Sequence, residues 1–171
     1  MIREVLPQVT LFTAEETARL ETAHKTFLAN MSTLSDLEYR KEMERLGVDL
    51  SWKSSQIEGN TYSLLETERL LKEKETAQGK TKEEAVMLLN HKDALDFILD
   101  CPDYLKTLSV RRLEDIHSIL TKELGVGNGI RKRRVGITGT NYRPLDNEFQ
   151  IREALEDTCQ LINGKDNVFE K

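Results

Sequence analysis

Residues 51–58 bring three serine hydroxyls and one carboxylate to the same side of a predicted helix. Ser51, Ser54, Ser55 and Glu58 stand at positions i, i+3, i+4 and i+7, which are neighbours on a helical surface. Small hydroxyl side chains let another surface approach closely, whereas a solvated helix face usually carries long charged side chains. The spacing therefore predicts a polar helix face with one ionisable group at its end.

Glu58 is the ionisable group of that face, and its position is unusual. It precedes Gly59, and glycine at this place commonly ends a helix because it tolerates a positive φ. A helix C-terminus carries partial negative charge, so an exposed carboxylate there costs about 0.3–1 kcal/mol. A bidentate ion pair with an arginine would offset that cost. Two interpretations stay open: Glu58 pairs with such a cation, or it is a solvated glutamate at a frayed helix end.

Composition and charge limit the classes of function. The chain has 171 residues, of which 38% are hydrophobic and 32% charged, and its formal net charge is −5. An acidic chain of this kind is not expected to bind nucleic acid directly. No apolar run is long enough to span a membrane, and "MIREVLPQVTLF" lacks the apolar core of a secretion signal. Cys101 and Cys159 are too few for a disulfide framework and form no zinc motif, which favours a reduced, cytoplasmic setting.

The elements that must position these residues are predicted to be mainly α-helical. Ser or Thr followed by Glu three residues later marks helix starts at Thr13, Ser63 and Thr81. Separate helices are expected at about 36–46 and 48–58, because Gly47 weakens the pattern between them. The corresponding domain organisation is a set of N-terminal helices in residues 1–47, followed by a domain portion in residues 48–171.

The helical pattern breaks between Gly125 and Phe149. Val135 and Ile137 alternate with small residues ahead of Gly139, which predicts one short β-hairpin within about residues 130–145. This segment is either an ordinary surface hairpin or an edge strand that pairs with an extended peptide. The basic run at residues 131–134 is either solvated or contacts phosphates or an acidic partner.

Several motifs carry a resemblance to a known family. "SSQIEGNTYSLLETERLL" resembles the inhibitory-helix segment of Fic-domain (Fido) proteins, which transfer AMP from ATP to protein hydroxyls; Ser54, Glu58 and Gly59 fill the places of its pattern. "LEDIHSIL" and "GIRKRRVGITGTNYRPL" follow in the family's order, and "NVFEK" resembles the start of the helix that leads into the catalytic loop. The resemblance covers about residues 48–171.

The resemblance implies specific roles for these residues. Glu58 would be an inhibitory carboxylate that pairs with a catalytic arginine, which otherwise binds the γ-phosphate of ATP. Ser54 would support this contact and Gly59 would stop the inhibitory helix, expected at residues 48–58. The hairpin would be the flap that docks the target protein, through Gly136, Ile137, Thr138, Gly139, Thr140 and Asn141. ATP and Mg²⁺ would be the cofactors of the intact protein, with their ligands mostly outside this chain.

One departure from the family pattern concerns catalysis. The family's motif runs His-Pro-Phe, any residue, Asp or Glu, Gly-Asn, Gly or Lys, Arg, and it does not occur in this chain. The histidines His24, His91 and His117 are followed by Lys, Lys and Ser, so no catalytic and no metal-binding residue is expected here. The Fic-like fold is then incomplete at the C-terminus, and these 171 residues are expected to be inactive alone.

Two classes of function follow. The first is the regulatory and target-docking part of a Fic-type protein adenylyltransferase, in which the direction of the chemistry, AMP transfer or AMP removal, stays open. The second is a non-catalytic helical module that inhibits or adapts a partner protein, with Glu58 reaching an arginine of that partner. A protein substrate on the flap is the expected partner, and a homodimer is left open.

Overall fold

The computed structural model describes residues 9–171, so the expectation about a secretion signal in residues 1–12 lies mostly outside the described residues. The part described is mainly α-helical, as the sequence predicts. It contains six α-helices and two short 3-10 helices: α1 (Ala14–Ser32), α2 (Asp36–Ile57), α3 (Leu64–Glu73), α4 (Lys82–Asp100), η1 (Pro102–Leu105), α5 (Val110–Leu120), α6 (Glu148–Asn163) and η2 (Val168–Glu170). Residues 9–171 contain no β-strand, so the predicted hairpin is not observed.

Local capping interactions explain where most of the helices begin. Ser35, Ser63 and Thr81 each accept a hydrogen bond from the backbone N–H three residues later, and the glutamate at that position bonds back to the cap. Thr13 and Glu16 make the same reciprocal pair ahead of α1. These capping boxes satisfy N–H groups that the first helical turn leaves without a partner. The sequence pattern predicts three of these four capping boxes. The fourth, at Ser35, is seen only in the structure.

Helix α2 is one continuous helix, not the two helices predicted on either side of Gly47. A helix-interior glycine costs about 1 kcal/mol relative to alanine, which does not by itself end a helix. A Cβ atom on Gly47 would lie 3.4 Å from the Cδ and Cε atoms of Lys92 in α4. The absent side chain therefore leaves room for α4, and tertiary packing overrides the local propensity. The predicted inhibitory helix 48–58 is the second half of α2, and the expected domain boundary after residue 47 falls inside this helix.

The chain divides into two compact units. One contains Thr33–Lys106 and Asp115–Asn128, with a core of Tyr62, Leu70, Ala85 and Leu88. Within this unit α2, α3 and α4 pack against one another, and α2 with α4 is the most extensive pair. The helices α2 and α3 join through the residues that surround Glu58, so this unit positions the predicted inhibitory group.

The other unit contains the described residues up to Ser32, together with Thr107–Glu114 and Gly129–Lys171. In it, Lys165 forms an ion pair with Glu170 at 2.7 Å, and both side chains are largely buried. Glu170 also accepts a hydrogen bond from the Leu11 N–H, while Lys165 donates to the Val9 carbonyl oxygen. These bonds fasten the start of the described chain to its end within the unit.

No helix within residues 9–171 combines the length and the apolar character that a bilayer crossing needs.

Candidate functional site

The end of α2 has the geometry of a Schellman motif. The Asn60 N–H donates to the Ser55 carbonyl oxygen at 2.9 Å, and the Gly59 N–H donates to the Gln56 carbonyl oxygen at 3.0 Å. These are the two bonds that define the motif when Gly59 is the first residue beyond the helix cap. Gly59 has a φ of +91°, which an L-residue adopts only with strain. The backbone that carries Glu58, the cap residue, is therefore fixed by a specific turn and not frayed.

Asn60 attaches this turn to α4. Its Nδ2 atom donates to the Glu84 carbonyl oxygen at 2.8 Å, and its Oδ1 atom accepts from the Tyr62 N–H at 3.0 Å. Asn60 is buried, so both halves of its amide are used where water does not compete. The side chain thus holds the residues after Glu58 against the first turn of α4.

The Glu84 carboxylate makes a second attachment. Its Oε1 atom accepts from the Thr61 N–H and hydroxyl at 2.8 and 2.6 Å, and its Oε2 atom accepts from the Thr81 N–H at 2.9 Å. The hydrogen bond from the Thr61 hydroxyl, followed by those from the N–H groups of Thr81 and Thr61, lowers the pKa of Glu84 to about 2. One carboxylate therefore caps α4 and fixes the turn that follows α2.

Two aromatic residues complete the support. The Trp52 indole N–H donates to the Tyr62 carbonyl oxygen at 2.9 Å, which ties the body of α2 to the same turn. The Tyr62 ring is 1% exposed, and its hydroxyl accepts from the Ala77 N–H at 3.2 Å. Glu58 therefore projects from a segment whose neighbours are held by buried hydrogen bonds and core packing.

The Glu58 side chain itself is exposed. Among residues 9–171, no side chain or backbone group makes a hydrogen bond or an ion pair with its carboxylate, and only its N–H is bonded, to the carbonyl oxygen of Ser54. Its charge acts on the half-buried His91 of α4, where it raises the pKa of the imidazole. Burial has the larger opposite effect, so the pKa of His91 is lowered overall. A carboxylate on a fixed stretch of backbone thus faces solvent next to Ile57, which is 85% exposed.

Two of the serines on the predicted polar face of α2 point into the protein and not toward solvent. Ser51 and Ser55 are fully buried, and their hydroxyls have no hydrogen-bond partner among residues 9–171. They continue the row that begins at Gly47, the residue next to Lys92 of α4. The surface that approaches these small side chains is therefore helix α4 of the same chain. Ser54 is half-buried, and its carbonyl oxygen accepts from the Glu58 N–H at 3.4 Å.

The segment predicted as a flap has one turn and no strand. The Thr140 N–H donates to the Ile137 carbonyl oxygen at 3.4 Å, with Thr138 and Gly139 between them. Gly139 has a φ of +79°, whereas Thr138 does not have a positive φ. The turns that favour a two-residue hairpin need a positive φ at the first of the two central residues. This turn instead has the pattern of type II, which splays the flanking chains, and no backbone ladder forms.

Side chains, not a ladder, close this loop, which we define as residues 129–147. We call the contacts the charged clasp: the Arg131 guanidinium donates to the Leu145 carbonyl oxygen at 2.7 Å, Arg134 pairs with Asp146 at 2.7 Å, and Lys132 pairs with Glu148 at 3.5 Å. The residues predicted to dock a target, Gly136 to Asn141, lie beyond the clasp and are exposed. The two predicted functional segments belong to different units.

The described residues do not form a metal centre. No group of three or more His, Cys, Asp or Glu side chains within residues 9–171 has an arrangement that would hold a metal ion. The ATP and Mg²⁺ that the family resemblance implies, with their ligands mostly outside this chain, therefore stay a prediction.

Two residues that hold the turn after α2 in place are not predicted from the sequence. Asn60 lies in the quoted motif, but its partner is the Glu84 backbone, 24 positions away. Glu84 is visible in the sequence as part of a capping box with Thr81. Its second bond, to Thr61, spans 23 positions and depends on the packing of α2 against α4. No local spacing rule reports such contacts.

Comparison with known proteins gives no relatives: no protein-family model, no curated protein and no solved structure matches the chain.

Proposed function

We propose that the chain is the regulatory and target-docking part of a Fic-type protein adenylyltransferase, with Glu58 as its inhibitory carboxylate. The observation that carries the proposal is the state of Glu58: its backbone is fixed by the Schellman motif, while its exposed carboxylate has no ion-pair partner among residues 9–171. The proposed partner is an arginine of a catalytic loop outside these residues.

The physical basis of inhibition is competition for one guanidinium. A charge-assisted hydrogen bond contributes about 1.5–3 kcal/mol, and a bidentate pair also fixes the direction of the guanidinium plane. While Glu58 holds the arginine, the arginine does not position the γ-phosphate of ATP. The support from Asn60, Glu84 and Trp52 keeps the backbone at Glu58 in place, so binding costs the ordering of the side chain alone and not of the turn.

The test measures AMP incorporation from α-labelled ATP by the full-length product that contains this chain. The variant Glu58→Gly is expected to raise incorporation by roughly tenfold or more, since about 1.4 kcal/mol corresponds to a tenfold change in rate. Glu73→Gly is the matched control, because Glu73 is also exposed and is the last residue of helix α3. Equal incorporation by the wild type and both variants would remove Glu58 from the mechanism.

The alternative, a non-catalytic module that inhibits or adapts another protein, is favoured by one observation. Ile57, the residue next to Glu58, exposes 85% of its surface. A carboxylate beside an exposed aliphatic side chain suits an arginine of a separate protein surrounded by apolar surface. Under this function no variant of the full-length product incorporates AMP, and Ile57→Ser weakens capture of the partner as strongly as Glu58→Gln does.

A further inference from the structure

The loop at residues 129–147 is the strongest local concentration of positive charge in an acidic chain. It contains five basic residues, Arg131, Lys132, Arg133, Arg134 and Arg143, and one acidic residue, Asp146. The whole chain has a formal net charge of −5. An acidic ligand is therefore repelled by the molecule as a whole and attracted to this loop, which gives the loop a selective electrostatic role.

The contacts divide the basic residues into two groups. Arg131, Lys132 and Arg134 are engaged in the charged clasp that closes the loop. Arg133 and Arg143 are exposed, and neither makes an ion pair or a hydrogen bond with a group in residues 9–171. The clasp residues thus have a structural use, while these two guanidiniums keep all their donors free for another molecule.

The backbone beside these arginines is also unpaired. From Arg133 to Gly136, no backbone group makes a backbone–backbone hydrogen bond within the described chain. A Cβ atom at Gly136 would meet no atom within 4 Å, so a second chain has room to approach there. The side chains of Val135, Ile137 and Tyr142 are about half exposed or more. Unpaired peptide groups flanked by apolar and cationic side chains are the features that a bound extended peptide uses.

We propose that this loop docks an extended protein segment that carries carboxylates. The peptide groups of residues 133–136 pair with the backbone of the segment, and Arg133 and Arg143 bind its Asp or Glu side chains. This inference deepens the proposed function, on which it rests, because it gives the chemical class of the docked target. A nucleic acid would satisfy the two arginines, but it has no peptide backbone to pair with residues 133–136 and no aliphatic side chains for Val135 and Ile137.

The test uses two fluorescein-labelled peptides of matched shape, Glu-Asp-Val-Thr-Val-Asp-Glu and Gln-Asn-Val-Thr-Val-Asn-Gln. Their binding to the full chain is measured by fluorescence anisotropy without ATP, at low and at physiological salt. The acidic peptide is expected to bind at least about tenfold more tightly than the amide peptide, a preference that shrinks as salt screens the charges. Equal binding of the two peptides, or none by the acidic one, would overturn the inference.

Variants assign the effect to the two free arginines. Arg133→Gln/Arg143→Gln is expected to weaken binding of the acidic peptide roughly tenfold. Arg19→Gln/Arg40→Gln, which removes the same charge from exposed helical positions outside the loop, is expected to leave binding within about twofold, since salt screens exposed charges that do not contact the peptide. Helical circular dichroism checks that both variants fold. Equal losses in the two double variants would reduce the effect to net charge and overturn the inference.

A polyuridylate RNA is the competing ligand, and tighter binding of this RNA than of the acidic peptide overturns the inference in favour of a nucleic-acid surface. The peptide assay is independent of AMP transfer. Acidic-peptide binding together with no response to Glu58→Gly supports the docking surface and removes the proposed function. A rise in AMP incorporation on Glu58→Gly together with equal binding of both peptides supports the proposed function and removes the docking surface.

Discussion

The turn that follows α2 and the loop at residues 129–147 both present charged groups to solvent, but different interactions hold them. The turn is fixed by a Schellman motif and by hydrogen bonds from Asn60 and Glu84, residues that also belong to the packing of α4. The loop is closed by the charged clasp, whose members are mostly exposed. The comparison shows that the backbone of an exposed residue is held in place when the residues next to it are buried and hydrogen-bonded. We expect the backbone at Glu58 to be nearly immobile and the loop to adapt to its ligand.

The largest difference between the regions is expected from their tyrosines. Tyr62→Ala should lower the free energy of unfolding by about 3–5 kcal/mol, because it empties a core position that is 1% exposed. Tyr142→Ala should change it by less than about 0.5 kcal/mol, because the Tyr142 side chain is 64% exposed. Urea denaturation followed by circular dichroism measures both. Similar losses in the two variants would show that the loop is packed as firmly as the turn.

Two glycines provide a matched pair of backbone tests. Gly59 and Gly139 both have a positive φ, and a Cβ atom at either would meet nothing within 4 Å, so only backbone strain distinguishes them from alanine. Gly59→Ala should lower the free energy of unfolding by about 1–2 kcal/mol, because the Schellman motif does not relax. Gly139→Ala should cost less than about 0.5 kcal/mol, because the loop is free to change its turn. A larger loss at Gly139 in chemical denaturation would reverse the comparison.

The pH dependence of stability tests the attachment at Glu84. The pKa of Glu84 in the folded chain is about 2, below its ordinary value of 4.5. Its stabilising contribution is therefore fully present above about pH 4.5 and is lost as the pH falls toward 2. Wild type and Glu84→Gln are expected to differ in urea midpoint at pH 7 and to converge near pH 2. Glu83→Gln, next to it in α4, is the control. A constant difference between wild type and Glu84→Gln across this range would contradict the role of the carboxylate charge.

The smallest effect is expected from the charged clasp. Asp146→Asn should lower global stability by less than about 1 kcal/mol, because exposed ion pairs contribute little. It should nonetheless speed tryptic cleavage after Arg133 and Arg134, and high salt should have the same effect on the wild type. Cleavage after Lys53, inside α2, serves as the internal reference. If salt accelerates cleavage at both places equally, the clasp does not hold the loop.

Sequence reasoning succeeds where the determinants are local. The starts of α1, α3 and α4 follow from pairs three residues apart, and the end of α2 follows from one glycine. It fails at Gly47, because the contact with Lys92 that uses the missing side chain spans 45 positions. It also fails at the hairpin. The alternation of Val135 and Ile137 suits a strand, but the turn has the wrong φ at Thr138 for a hairpin, and this depends on backbone geometry rather than on residue type.

The candidate site is predictable to the same extent. Glu58 and Gly59 stand out as a carboxylate at a helix end, and their backbone geometry agrees with that expectation. The functional roles of Ser54, Glu58 and the flap residues stay predictions. The contacts of Asn60 and Glu84 cannot be predicted from the sequence, because they depend on the packing of α4 against α2.

The double use of Glu84 has a consequence for how this fold tolerates change in chain length. The Glu84 side chain holds the α2 turn directly through its hydrogen bonds. The position of the turn therefore does not depend on the length of the connection between Glu73 and Lys80. Closing a longer loop costs free energy only slowly with length. Extra residues inserted after Glu75, an exposed position ahead of the Ala77 N–H that bonds to Tyr62, should therefore leave the backbone at Glu58 in the same place.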